Sequence, residues 1–361
     1  MRISSIEAMR TLAMLAVVVI HSSPFANPFD PTIWPEPHQI YLAALFNQIT
    51  RFAVPFFFLA AGFFFEPKLK GPNAGAALWR YCRPLLLLWL VWSLVYILVP
   101  FNPLAVLSQG YLTTMTPQWG WLLSDANNLW VGGMVHLWYL PALGLAMGLC
   151  LLAERLGKLE LTLVLGVLLY LLALLGGSYA KPILGAEWSL MTRNGPFFSL
   201  IFVSLGMLIR RYQWRLPRQA AFWLMTVGGL LYLLEGTALY FLEGIPFGRH
   251  DFLLASLPWC LGLFLWLLAN PSWGQGSWLE KLAPKVLGLY CLHMLLVIWL
   301  MPLSAAWMSP LWEVCKPLVL LALSVLLYQL LTWLPLSSWL LQGRPAGSST
   351  TLRAEKAQAA N

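Results

Sequence analysis

Ten stretches of mostly apolar residues, at about 6–25, 40–65, 78–99, 136–154, 159–177, 195–210, 219–241, 251–270, 285–303 and 312–334, leave this chain few ways to fold. Crossing a bilayer takes roughly 20 apolar residues as a helix. Each stretch is too long and too continuous for a strand, and lipid cannot satisfy the open edge of a sheet. The expected fold is all-α, a polytopic membrane bundle of about ten transmembrane helices over residues 1–341. The small polar end, residues 342–361, reads as a disordered tail. The first stretch is read as a retained span, because Glu7 precedes it and no small-residue cleavage site follows.

Composition agrees: 60% of the 361 residues are hydrophobic and only 10% charged, which no soluble domain of this size would hide from water. The basic residues then orient the bundle. With ten spans, one set of ends holds 17 of the 22 Lys and Arg residues; the other holds only Lys181, Arg193, Arg249 and Lys316, and Arg51 lies within a span. Such a bias puts the basic ends, and with them both termini, in the cytoplasm. The net charge of +8 is then topological and does not imply nucleic acid. The five cysteines (82, 150, 260, 291 and 315) form no C-x-x-C pair, so neither a disulfide framework nor a zinc site is expected.

Ionisable groups inside spans are costly and mark functional positions. Arg10 and His21 are eleven residues apart on the first helix, about three turns and roughly 16 Å along the axis. Both therefore project from one stripe and can line one cavity, with Glu7 placed to pair with Arg10. A plainer reading has Arg10 snorkelling and His21 capping the helix. No histidine or carboxylate lies three or four residues from His21, so no metal is expected there. Arg51, in "ITRFAVPFFFLAAGFFF", falls about ten residues into the second span, close to mid-membrane, and must face protein or water; Pro55 and Gly62 allow a kink or a close helix approach. His293 sits mid-span in "LGLYCLHMLL", and His136, Trp138 and Tyr139 share "HLWYLP" at an outer mouth. Trp119, Trp121 and Trp130 in the loop before it are either belt anchors or sugar-stacking rings. On the cytoplasmic side "LWRYCRPL" puts Arg80 and Arg83 on one helix face, an arrangement that suits a phosphorylated ligand as well as ordinary positive-inside charge.

Together these blocks resemble the membrane acyltransferase-3 family, the O-acyltransferases of bacterial surface glycans. The likeness rests on Arg10 followed eleven residues later by His21, on "RFAVPFFFLAAGFFF" with Ala61 where the family has Ser, on "RYCR", and on "HLWYLP" and "LGLYCLH". It spans roughly residues 5–300 and is closest in layout to the short, enterobacterial common antigen O-acetyltransferase type, with no further domain expected after the last span. The resemblance implies a multi-pass protein of the bacterial inner membrane with no permanently bound cofactor. It implies transfer of an acyl group, acetyl foremost, from acetyl-CoA or another acyl-CoA to a hydroxyl of a lipid-linked or surface glycan. His21 is then the expected catalytic base or acyl carrier, with Arg10 and Arg51 as cations for the oxyanion. Arg80 and Arg83 are expected to bind CoA phosphates, and His136, Trp138, Tyr139 and His293 to contact substrate. Membrane lipid is the other expected partner.

Two other classes fit the composition. A transporter or flippase would also bury Arg and His, but its coupling carboxylate would have to be Glu235, near the outer end of the seventh span, and no two-half repeat is visible. A lipid-sugar glycosyltransferase would use carboxylates of the first outer loop, where Asp30 and Glu36 lie without a recognisable pattern.

Overall fold

The computed structural model describes residues 2–26, 37–185, 191–304 and 309–344, with only the backbone described at 37–40 and 301–304. Asp30, Glu36 and the tail beyond residue 344 lie outside the described residues. All regular structure among the described residues is helical. Ten helices or helix pairs answer to the ten apolar stretches: α1 (Ser4–Ser22), α2 (Pro37–Ile49) with α3 (Ala53–Phe65), α4 (Ala74–Leu98), α8 (Tyr139–Arg155), α9 (Leu161–Leu175), α10 (Pro196–Arg211), α11 (Arg218–Glu243), α12 (Ser256–Ala269), α14 (Val286–Ser304) and α15 (Pro310–Leu331). Short helices α5 (Pro103–Gln109), α6 (Tyr111–Leu123) and α7 (Ala126–Val131) fill the link between α4 and α8, while α13 (Trp278–Leu282) and α16 (Ser337–Gln342) flank α14 and α15. The last helix ends at Gln342, the first residue of the expected tail.

Among the described residues, seven helical segments are long and apolar enough to cross a membrane by themselves. The other three, α9, α10 and α12, have 15, 16 and 14 residues. A 16-residue helix is about 24 Å long, less than the hydrocarbon layer. For α10 the shortfall has a structural basis, because every residue from Phe198 to Ile209 is buried and the helix runs through protein.

The ends of the spans sort into two sets. Arg211, ending α10, bonds Glu154 at the end of α8 through both terminal nitrogens (2.8 Å each) and Glu66 just past α3 at 3.0 Å. Arg2 lies 3.7 Å from Glu280 in α13. All of these belong to the basic set of ends. On the opposite side the backbone N–H of Phe25, after α1, donates to Glu313 at the start of α15 (2.6 Å), and Lys181, after α9, reaches the carbonyl of Glu243, which ends α11. None of these ties joins an end of one set to an end of the other, as an alternating ten-span path requires.

The tightest crossing joins α3 to α10. A Cβ added at Gly62 would lie 2.1 Å from the carbonyl oxygen of Val203, and one at Gly206 would lie 2.1 Å from that of Leu59. Each glycine therefore lets the opposite backbone approach into van der Waals contact, which is how helices associate where no hydrophobic effect drives them. Gly228 and Gly262 do the same between α11 and α12. Gly206→Val should force α3 from α10 and lower stability by about 1–3 kcal/mol or more, seen as a lower unfolding temperature in detergent. Gly120→Ala, where a Cβ meets nothing within 4 Å, should leave it unchanged.

Candidate active site

Three histidines from distant parts of the chain meet in the bundle. The His21 ring centre is 5.4 Å from that of His293 and 6.1 Å from that of His136, and the latter two are 5.1 Å apart. Local sequence explains each placement. Ser23 adopts a left-handed backbone (φ 42°) and ends α1, so His21 occupies its last turn. The Gly132–Gly133 pair presses the chain onto Ser93 of α4, where any Cβ would come within 2.3 Å of Ser93 atoms. The chain then enters a 3-10 turn (Val135–Trp138) that sets His136 5.4 Å from Tyr96, one turn along α4. His293 is in the third turn of α14, beside Tyr290.

The hydrogen bonds fix the tautomers. His293 Nδ1 lies 2.7 Å from the carbonyl of Tyr290 and His136 Nε2 lies 3.3 Å from that of Cys291. A carbonyl only accepts, so these nitrogens carry the protons. The opposite nitrogens, His293 Nε2 and His136 Nδ1, are buried without a protein partner and offer lone pairs. Tyr96 donates to the same Cys291 carbonyl at 2.8 Å, and the Tyr290 hydroxyl donates to the carbonyl of His136. Helices α4 and α14 and the 3-10 turn are thus locked around the imidazoles. Among the described residues no group of three or more His, Cys, Asp or Glu side chains is arranged to hold a metal ion.

A cavity of about 300 Å³ leads to this cluster. Arg10, Phe64 and Tyr81 line it near the basic ends of the bundle; Val17, Tyr139 and Tyr290 line it farther along. Tyr290 is its boundary with the histidines, with its ring centre 5.2 Å from that of His136 and 6.0 Å from that of His293. Arg10 is partly exposed and pairs with Glu7 at 3.2 Å. Of the stripe of α1 that carries Arg10 and His21, the cavity takes Arg10 and Val17; His21 does not line it and stands beyond, against His293 and His136.

The remaining candidates fall in several places. Arg51 is not a lone cation in a continuous helix: residues 50–52 are non-helical and separate α2 from α3, and Pro55 fits the first turn of α3, where a backbone N–H is not needed. The Arg51 guanidinium bonds Asp251 (2.8 Å), the side-chain carbonyl of Asn47 (2.9 and 3.0 Å) and the carbonyl of Gly248 (3.3 Å). Asp251 lies in the link between α11 and α12, and its other oxygen takes Arg193 Nη1 at 2.9 Å. Arg80 and Arg83 are exposed and do not line the cavity, whereas Tyr81 between them does. Trp138 packs into aromatic core against Phe58 and Phe198; only Tyr139 of that pair reaches the cavity. Trp119 spends its indole N–H on the carbonyl of Ile97 at the end of α4.

Sequence reasoning passed over Asp251 and His250. Their signal was Asp251 itself, a carboxylate opposite a buried Arg in a set of ends with few charges. Burial raises the Asp251 pKa, but Arg193 and Arg51 outweigh it and hold the carboxyl below its usual range. It stays charged until the pH falls through that lowered value. His250 is fully buried with both ring nitrogens unpartnered, and burial together with the Arg51 charge pushes its pKa down to about 4 from 6.5. Between pH 6.5 and 4 an opened segment takes up a proton that the closed one refuses, so acid weakens the closed form. Amide-exchange protection of residues 247–255 should fall over that range and level out in His250→Gln; a pH-independent protection in the wild type would contradict this.

The chain is 30% identical over 312 residues to a serine/alanine racemase of Enterococcus gallinarum, which covers 81% of this chain but 40% of that protein. It is 28% identical over 316 residues to an amino-acid racemase of Enterococcus faecalis, 82% of this chain and 41% of the relative. The chain thus spans about two-fifths of the length of these relatives. No solved structure matches it. The acyltransferase-3 family model, described as an acyltransferase domain, matches residues 3–333. The chain belongs to this family of multi-pass membrane acyltransferases.

Proposed function

We propose that the protein moves an acyl group, acetyl foremost, from acyl-CoA to a hydroxyl of a lipid-linked or surface glycan, with both termini in the cytoplasm of a bacterial inner membrane. The observation that carries this reading is the cavity that starts at Arg10, near the basic ends, and stops at Tyr290, which packs against His136 and His293 of the three-histidine cluster. The acyl thioester enters from the cytoplasmic end. The acceptor oxygen attacks its carbonyl carbon while His21 takes the hydroxyl proton. The C–S bond then breaks, and the CoA thiolate leaves with that proton. The His293 ring, its centre 5.4 Å from that of His21, turns an unpartnered Nε2 lone pair into the same cluster. Arg10 serves the donor end. Arg51, whose guanidinium is committed to Asp251, Asn47 and Gly248, is assigned a positioning role, holding the α11–α12 link.

Mass analysis of the surface glycans of a deletion strain tests this reading. Loss of an acyl substituent on one glycan, restored by the gene, is expected; an unaltered set of glycans would contradict it. Arg80 and Arg83 are exposed at the same end as Arg10 and remain our choice for the CoA phosphates. Arg80→Gln/Arg83→Gln should raise the KM for acyl-CoA by tenfold or more, since a charged hydrogen bond contributes about 1.5–3 kcal/mol. An unchanged KM at normal expression would return both residues to topology alone.

The transporter reading loses its coupling group. The Glu235 carboxylate accepts from the backbone N–H groups of Leu254 and Ala255 (2.8 and 2.9 Å) and from the Tyr179 hydroxyl, which tie it to the start of α12. The racemase names describe proteins of which this chain matches two-fifths, and amino-acid racemisation is not proposed for it.

A further inference from the structure

Three of the four basic residues on the outer set of ends line one pocket. Lys181 follows α9, Arg193 precedes α10 and Arg249 precedes α12; all three border a space of about 430 Å³ together with Ser178, Thr192 and Asp251. Charge bias alone would scatter or exclude basic residues on this side, so their convergence from three separate links needs another cause. Among the described residues, the one carboxylate in the lining, Asp251, is already shared by two guanidiniums, Arg51 and Arg193. Arg193 Nε is buried without a protein partner, as are both amide atoms of the adjacent Asn194. Lys181 makes only a 3.4 Å contact with a backbone carbonyl. With Arg51 and Arg193 already sharing Asp251, Lys181 leaves the lining with more positive charge than that carboxylate offsets, and Arg193 Nε is an unspent donor. Asp251 in its wall bonds Arg51, which bonds Asn47 of α2, and the neighbouring Phe46 packs against Phe25, four residues after His21.

We infer that this pocket binds an oxyanion, a carboxylate or a phosphate, carried by the acceptor, and so delivers the acceptor hydroxyl to the histidine cluster from the outer side. Guanidinium and ammonium groups recognise such groups by charged hydrogen bonds, and a cluster of one sign also steers the ligand in. The inference extends the acyl-transfer reading and rests on it for the acceptor, but not for the binding itself.

Calorimetric titration tests it, using the protein in nanodiscs of zwitterionic lipid at low ionic strength. The probes are inorganic phosphate, glucuronate and glucose. At least one anion should bind, glucose should not, and Lys181→Gln/Arg249→Gln should weaken anion binding at least tenfold. Lys181→Arg/Arg249→Lys should keep most of it, which separates lost charge from lost folding. Binding of phosphate alone assigns the oxyanion to a lipid-carrier phosphate, and binding of glucuronate alone assigns it to an acidic sugar. Failure of both anions to bind, or equal binding by the glutamine variant, would overturn the inference. An anion bound here by a protein that transfers no acyl group would instead refute the acyl-transfer reading and leave the pocket standing.

Discussion

His21→Ala should insert, fold and bind acyl-CoA like the wild type, yet transfer acyl groups roughly 10²–10⁴-fold more slowly. That range is the usual contribution of a positioned general base. Stability should change little, because the His21 side chain sits in the last turn of α1, partly exposed, with no hydrogen bond of its own to the packed core. Transfer in the wild type should rise with pH through one ionisation, and that limb should vanish in the variant. His293→Ala should act through His21: the rate should fall less than in His21→Ala while the pH limb shifts, since His21 keeps its base but loses the ring beside it. Retention of more than about a tenth of the wild-type kcat by His21→Ala would remove the catalytic assignment.

Asp251→Asn should be the most damaging change outside the histidines. It leaves Arg51 and Arg193, 9% and 20% exposed, facing each other without the carboxylate that bonds both. Each charged hydrogen bond removed costs about 1.5–3 kcal/mol, so the unfolding temperature should drop by several degrees. Acceptor KM should rise, because the α11–α12 link that walls the outer pocket loosens, while acyl-CoA KM should not change. Arg51→Gln/Asp251→Asn should recover part of the stability, because one of the two uncompensated charges is then gone and only Arg193 remains. A double variant as unstable as the sum of the two singles would show that the residues do not act as a pair.

What the sequence shows and what it hides follow from how far each signal reaches along the chain. Spans are local, and each apolar run matched a helix or a helix pair. The Arg10–His21 stripe is also local, being a property of one helix, and the cavity lies along it. The meeting of His21 with His136 and His293 depends on helices more than a hundred residues apart packing together, so each histidine could be noted singly but their contact could not. The break at residues 50–52 was invisible for a related reason. "TRFAVPFFFL" is apolar enough to continue a helix, and the break coincides with Arg51 bonding to Asp251, 200 residues later. Arg80 and Arg83 show the reverse case: spacing put them on one face, and only the packed bundle shows that the cavity wall between them is Tyr81. The ends of the short α10 are secured by Arg193 and Arg211, whose partners no pattern of hydropathy can reveal.

The central claim is that this membrane bundle passes an acyl group from a thioester to a sugar hydroxyl at the histidine cluster. Its most direct test uses purified protein in nanodiscs, acetyl-CoA labelled in the acetyl group, and a lipid-linked glycan extract from the deletion strain as acceptor. Label should appear in the glycan as an alkali-labile ester, with one CoA thiol released per ester formed, and His21→Ala should form none above background. Intact acetyl-CoA and an unlabelled glycan after incubation with folded wild-type protein would contradict it.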